Sequence, residues 1–184
     1  MGAAIKAYTI IAYPESMPDD WTHKLDKLGI GYACVLHDKD IDTNGQLKKA
    51  HMHFFFLNPV KEKEKKYISA CLGVNYMGQN VRSVQGMYEY LTHENETDKY
   101  HYPKDIIKYS VNWSQETYEQ LKAQEKDTAD HTLEVLDIIE KYDIKELVDL
   151  IHCLRSNGLE NLLPTAKQYF FKTYLDSRRN AGKR

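Results

Sequence analysis

Two strand-like runs stand in tandem in the first half of the chain, residues 31–37 (GYACVLH) and 51–57 (HMHFFFL). A polar stretch over residues 38–49, with a turn at Asn44-Gly45, separates them. Runs rich in β-branched and aromatic residues, joined through an Asn-Gly turn, predict neighbouring antiparallel strands. The flanking segments restrict the fold further. Residues 5–13 (IKAYTIIAY) predict a first strand ending at Pro14, and residues 18–28 a helix with Trp21, Leu25 and Leu28 on one face. Ser16 or Asp19 is its expected cap, and Gly29 closes it. After the tandem strands, Asn58-Pro59 opens a predicted helix over residues 60–72, residues 81–84 predict a short strand, and residues 87–93 begin another helix. Strand, helix, strand, strand, helix, strand is the ferredoxin-like order. The fold class expected is therefore α+β: an antiparallel sheet with flanking helices packed on one face, leaving the other face free to bind a ligand.

From about residue 114 the pattern becomes helical. Leu133, Leu136 and Ile139, then Leu147, Leu150, Ile151 and Leu154, recur at three- and four-residue spacing. The expected division is a first domain over residues 1–113, a helical linker over 114–129 and a small all-α domain over 130–184. Three well-separated cysteines, Cys34, Cys71 and Cys153, form no CxxC and point to a reduced, cytoplasmic protein. No apolar run approaches the ~20 residues of a membrane span. The opening residues carry no secretory pattern, so no membrane association is expected.

A net charge of −2 argues at first against a nucleic-acid partner. That figure hides a partition. Residues 1–110 hold 14 basic and 14 acidic side chains, residues 116–149 hold 4 and 11, and residues 150–184 hold 7 and 2. The Arg178-Arg179 and Lys183-Arg184 end reads as a disordered basic tail.

The chemistry is concentrated in the third strand. His51 and His53 sit two apart, so both imidazoles project from one face of a rigid strand, while Met52, Phe54 and Phe56 project into a core. Paired imidazoles on a strand suit a divalent transition metal. If the tandem strands pair, His37 and the carboxylate of Asp40 or Asp38 come beside them. Three nitrogens and a carboxylate suit Mn, Fe, Co, Ni or Zn better than Mg, which favours oxygen ligands. Further along, Tyr88 and Tyr90 stand two apart on a predicted helix, about 200° from each other. One can pack while the other points at the sheet. A phenol beside a metal that polarises a phosphodiester suggests nucleophilic attack on phosphorus.

Taken in order, Tyr13-Pro14-Glu15-Ser16, Asp20-Trp21, Leu36-His37-Asp38-Lys39-Asp40, Lys49-Ala50-His51-Met52-His53, Asn58-Pro59-Val60 and Met87-Tyr88-Glu89-Tyr90-Leu91-Thr92-His93-Glu94 resemble the replication initiators of rolling-circle plasmids from Gram-positive bacteria, within the HUH endonuclease superfamily. The resemblance covers roughly residues 5–110, and the helical C-terminal part resembles the family's oligomerisation domain more loosely. It implies an enzyme, a metal-dependent DNA nickase and strand transferase with topoisomerase-like chemistry. The metal ligands it implies are His37, Asp40, His51 and His53, with Asp38 the alternative carboxylate. It places the nucleophile at Tyr90, with Tyr88 the alternative. It also implies Mn2+ as the metal, Mg2+, Co2+ or Zn2+ being open. The partners it implies are the double-stranded repeats and single-stranded hairpin loop of a plasmid origin, copies of the chain itself in a ring or hexamer, and the host helicase and polymerase. Lys39, Lys48, Lys49 and Arg82 are candidate DNA contacts. Two competing readings remain. A non-catalytic module could bind single-stranded nucleic acid on the open sheet, or a small metalloenzyme could act on another substrate.

Overall fold

The computed structural model describes residues 7–57, 60–163 and 165–181. Strands β1 (Ala7–Ala12), β2 (Tyr32–His37), β3 (His51–Leu57), β4 (Gln79–Asn80) and β5 (Lys108–Tyr109) form one antiparallel sheet in the order β4-β1-β3-β2-β5. The first four strands follow the ferredoxin-like order, and β5 is added at the β2 edge. Both edge strands are two residues long, which leaves little unpaired backbone on which another chain could add.

Helices α1 (Trp21–Asp26) and α2 (Glu62–Cys71) cover one face. Leu25, Ile68, Cys71 and Leu72 pack there against Tyr8, Ile10, Tyr32, Cys34, Phe54 and Phe56 of the strands. Asp20, rather than Ser16 or Asp19, occupies the N-cap position of α1, and Ser16 lies in a short 3-10 turn over Pro14–Ser16. Gly29 takes a left-handed φ of 67° at the turn after α1. Asn58-Pro59, the expected opening of α2, lies outside the described residues.

The opposite face is not free, contrary to the sequence expectation. Helix α3 (Val84–Tyr90) and the start of α4 (Gln115–Lys141) cover much of it, with Val84, Leu91 and Tyr118 packed on Ala33, Val35, Phe55 and Leu57. The cause lies in β3 itself. Phe54, Phe55 and Phe56 are 0%, 0% and 1% exposed, and three consecutive buried side chains require cover on both faces of a strand. The strand expected over residues 81–84 is displaced to Gln79–Asn80, because Ser83 caps α3 by accepting a hydrogen bond from the Gly86 amide at 3.0 Å.

The chain divides into two compact units, one ending at Ala123 and one beginning at Gln124. In the second, the later turns of α4 pack with α5 (Leu147–Ser156) and α6 (Thr165–Ala181) around Val135, Ile139, Leu150, Leu154, Phe171 and Leu175. Arg178 and Arg179 belong to α6 rather than to a disordered tail. Arg178 donates to the Ile139 and Ile144 carbonyls at 3.2 and 3.4 Å, supplying donors that the end of α4 lacks. Lys183 and Arg184 lie outside the described residues. No helix among the described residues is long and apolar enough to cross a membrane.

Truncating Phe55 tests the cover on the second face. Phe55→Ala is expected to lose about 3–5 kcal/mol of stability in a urea titration followed by circular dichroism. A loss below about 1 kcal/mol would mean that the face is loosely packed.

Candidate active site

The register of β2 against β3 sets His37 directly opposite His51, and Val35 opposite His53. Opposed residues share a face, as do residues two apart, so all three imidazoles project together. Their ring centres lie 4.5 Å apart for His37–His53, 5.0 Å for His51–His53 and 5.6 Å for His37–His51. The segment after β2 folds back through an Ile41–Leu47 bridge, and the Lys48 amide donates to the Asp40 carbonyl at 2.7 Å. That turn brings the Asp40 carboxylate over the imidazoles, its Oδ2 3.6 Å from His37 Nδ1 and 3.9 Å from His51 Nε2. Asp40 is buried, whereas Asp38 is exposed.

Backbone carbonyls fix two of the imidazole tautomers. His37 Nε2 lies 2.8 Å from the Leu91 carbonyl, which can only accept, so Nε2 carries the proton and Nδ1 presents a lone pair. That Nδ1 is buried and has no hydrogen-bond partner among the described residues. By the same logic His51 Nδ1 donates to the Lys49 carbonyl at 2.8 Å, leaving Nε2 as a lone pair aimed at Asp40. Burial pushes the His37 pKa down to about 4 and that of His53 lower still, and the neighbouring imidazoles add to the fall. Near neutral pH the His37 and His53 imidazoles are therefore neutral, and the His37 Nδ1 lone pair faces the Asp40 carboxylate. Such a cluster of acceptors is electrostatically unfavourable until a cation sits among them. A divalent metal fits this donor set, and the ligand atoms of His37, His51 and His53 lie within 4.8 Å of one another. The carbonyl partners of His37 and His51 are the kind of outer support that orients metal-binding imidazoles.

Helix α3 delivers a tyrosine to this cluster. The Tyr90 ring lies 5.4 Å from that of His53 and 6.5 Å from that of His37. Tyr88 faces elsewhere. Its hydroxyl lies 2.6 Å from that of Tyr109, and its ring packs with Trp113 and Tyr118.

Three further groups complete the site, and the sequence reading had assigned none of them. His93 is fully buried, with Nδ1 3.0 Å from the Tyr100 carbonyl and 3.5 Å from Asp40 Oδ1. Burial holds its pKa below the usual range. Tyr102 donates to Asp40 Oδ1 at 3.3 Å, accepts from the Lys39 amide at 2.8 Å and stacks on His37 at 4.6 Å. Lys99 Nζ lies 3.0 Å from the Tyr90 hydroxyl. The spacing of Tyr90 and His93, three apart at a helix end, was a usable signal. Lys99 and Tyr102 arrive on a loop without a pattern.

Of the candidate DNA contacts, Lys39, Lys48 and Lys49 lie around the turn that carries Asp40, and Arg82 lies on another segment. Lys39 Nζ donates to the Tyr100 hydroxyl at 3.1 Å, and Lys49 is paired with Glu15 and lies 4.6 Å over the Tyr13 ring. Lys48 is exposed on the turn that carries Asp40, and Arg82 is exposed between β4 and α3.

Residues 3–116 match the family model described as "Plasmid replication protein, origin binding domain", and residues 125–180 match that described as "Replication protein RepB, C-terminal". The chain is 34% identical to the replication protein RepB of Streptococcus agalactiae, over 96% of this chain and 93% of the relative. It is 28% identical to a replication protein of Staphylococcus aureus (94% and 88% covered) and 27% identical to a RepB of Lactiplantibacillus plantarum (91% and 78% covered).

The depressed histidines carry a pH dependence. A buried imidazole whose folded pKa lies below its unfolded value of 6.5 binds protons more readily once unfolded, so its stabilising effect is lost as pH falls. Metal-free protein is expected to show falling urea midpoints between about pH 6.5 and 4. A His37→Asn, His53→Asn double variant should flatten that slope. Unchanged midpoints in the parent, or an unaltered slope in the variant, would contradict the assignment.

Proposed function

The chain belongs to the plasmid replication protein family, and from that footing we propose that it binds the double-strand origin of a plasmid and nicks one strand through Tyr90. The observation that carries this reading is the Tyr90 phenol set against the imidazoles of His37, His51 and His53, with the Asp40 carboxylate beside His37 and His51. His37 Nδ1, His51 Nε2, His53 and Asp40 would hold a divalent cation. When bound, that cation offsets charge on the scissile phosphodiester and makes its phosphorus more electrophilic. The nitrogen-rich set suits Mn2+, Co2+ or Zn2+ better than Mg2+, and the resemblance favours Mn2+. Tyr90 Oη attacks the phosphorus and the bond from phosphorus to the 3′ oxygen breaks. The phosphate stays on tyrosine as a 5′-phosphotyrosine, and the departing oxygen takes up a proton to become the 3′-OH that primes synthesis. The reverse reaction rejoins strands.

On this reading the first unit engages both the origin repeats and the single-stranded hairpin loop. Lys39, Lys48, Lys49 and Arg82 contribute backbone contacts. The helical second unit associates with copies of itself in a ring; the exposure of Leu133, Val148, Tyr169 and Phe170 supports this. Host helicase and polymerase then act on the nicked product in the cytoplasm. The binding-module alternative is weakened, because the sheet face on which bases would stack is covered by α3 and α4.

The test uses supercoiled DNA carrying the sequence that flanks the chain's own gene, incubated with full-length protein and Mn2+. Open circles and a covalent adduct mapped to Tyr90 by mass spectrometry are expected. Tyr90→Phe should lower adduct formation by at least about a thousandfold. An adduct formed equally well by Tyr90→Phe would refute the nucleophile. Independently, Mn2+ at about a hundred times its Kd should stabilise the protein by about 2.7 kcal/mol, read as a rise in Tm. Asp40→Ala should abolish most of that rise, and an unchanged rise would remove Asp40 from the ligand set.

A further inference from the structure

We infer that Lys99 is a positioning residue for the nucleophile: its ammonium holds the Tyr90 phenol oxygen and balances the charge that oxygen carries as it enters and leaves the phosphate. The inference rests on Tyr90 being the attacking group.

Lys99 lies nine residues beyond Tyr90, and the intervening loop turns it back. His93 takes a left-handed φ of 56° after the helix, a conformation uncommon outside glycine. The Glu96 amide donates to the His93 carbonyl at 3.0 Å, and the Tyr102 amide to the Thr92 carbonyl at 3.0 Å. Together these close the loop and present the Lys99 side chain to the end of α3. Nζ then sits 3.0 Å from Tyr90 Oη and 4.3 Å from the centre of its ring. Glu96 Oε2 lies 3.4 Å from the same ammonium. The lysine side chain is only 25% exposed, so water screens the contact weakly.

An ammonium has donors and no acceptor. The phenol oxygen must therefore be the acceptor, and one of its lone pairs is committed to Lys99. This restricts rotation of the hydroxyl and leaves the remaining lone pair as the one available for attack. Lys99 cannot take the phenol proton, because its nitrogen already carries three. Its contribution is electrostatic. As the oxygen–phosphorus bond forms, the bond from phosphorus to the 3′ oxygen breaks, and the proton lost by the phenol is matched by the one the 3′ oxygen gains. Throughout, Lys99 offsets negative charge on the tyrosine side. The same contact stabilises the phenolate as leaving group in rejoining, so both directions depend on it.

A lysine here could instead contact only a DNA phosphate, and the experiment separates the two roles. Single-stranded oligonucleotides tiling the DNA that flanks the chain's own gene are incubated with full-length protein and Mn2+. Adduct formation is followed in single turnover at saturating DNA, and affinity is measured separately in a Tyr90→Phe background. Lys99→Met is expected to slow the saturating rate by at least about tenfold, with Kd changed by less than about twofold. Lys99→Arg, which keeps a donor and the charge, should recover most of the rate. A bridging 3′ sulfur at the scissile position provides a better leaving group and should leave the Lys99→Met defect in place, since the lysine acts on the tyrosine side. An unchanged saturating rate, a loss confined to Kd, or a defect cured by the sulfur substrate overturns the inference. If wild-type protein forms no Tyr90 adduct on any tile, the nickase reading itself fails and the Lys99 assignment falls with it. A wild-type adduct matched by Lys99→Met removes only the Lys99 assignment.

Discussion

Strand β3 is hydrogen-bonded on both sides, to β1 and to β2, and its register decides where His51 and His53 point and which residue of β2 stands opposite them. A slip of one residue would exchange its faces. His51 and His53 would turn towards the apolar face under α1 and α2, and Phe54 could take the place of His53 in the polar cluster. The three phenylalanines prevent that slip. Phe54 and Phe56 are locked among Tyr8, Tyr32 and Ile68, while Phe55 is locked against Leu57 and Val84 on the other side. The hydrophobic half of the strand thus supports the polar half, and the geometry of the candidate site depends on packing several residues away from it.

The same economy governs α3. Its apolar side, with Val84 and the adjoining Leu91, closes the second face of the sheet, and its last residue is the tyrosine of the site. The Leu91 carbonyl receives the His37 imidazole, so the end of the helix and the end of β2 are joined by a hydrogen bond that also sets a tautomer. Helix rotation then assigns the two tyrosines. Tyr88 is turned into the aromatic group of Tyr109, Trp113 and Tyr118, and Tyr90 is turned towards the histidines. The 100° step of a helix keeps the two tyrosines apart, and the ring contacts show that Tyr90 is the one beside the histidines.

Much of this could be read from the sequence. The tandem strands, their pairing across the Asn44-Gly45 turn, and the shared face of His51 and His53 follow from period-two alternation and turn chemistry. The cover on the second face was also written there, in three adjacent phenylalanines that no one-sided strand would carry, but the ferredoxin-like analogy outweighed that local signal. The displaced fourth strand was lost because two residues at an edge have no pattern to detect. Lys99 and Tyr102 were invisible for a different reason. Their positions depend on how the residues after α3 return across the site, through the left-handed turn at His93 and the Thr92–Tyr102 hydrogen bond, and single-residue backbone choices of that kind leave no periodicity in the sequence.

The charge balance of the chain gains meaning from the site. The first 110 residues balance 14 basic against 14 acidic side chains, and the buried cluster contributes one carboxylate with imidazoles held neutral. Positive charge beside the cluster comes from individual lysines. Lys99 lies at the tyrosine oxygen and Lys39 at the turn that bears Asp40, while the lone pairs of the cluster make room for a divalent ion. A bound cation reverses the local electrostatics of such a pocket. On the proposed reading, a site assembled this way would attract a phosphodiester most strongly where the reacting atoms meet. On the proposed nickase reading, a protein that releases one DNA segment and engages another is better served by that distribution than by a uniformly basic face, whose affinity would be spread along the whole backbone and would persist after the strand is cut.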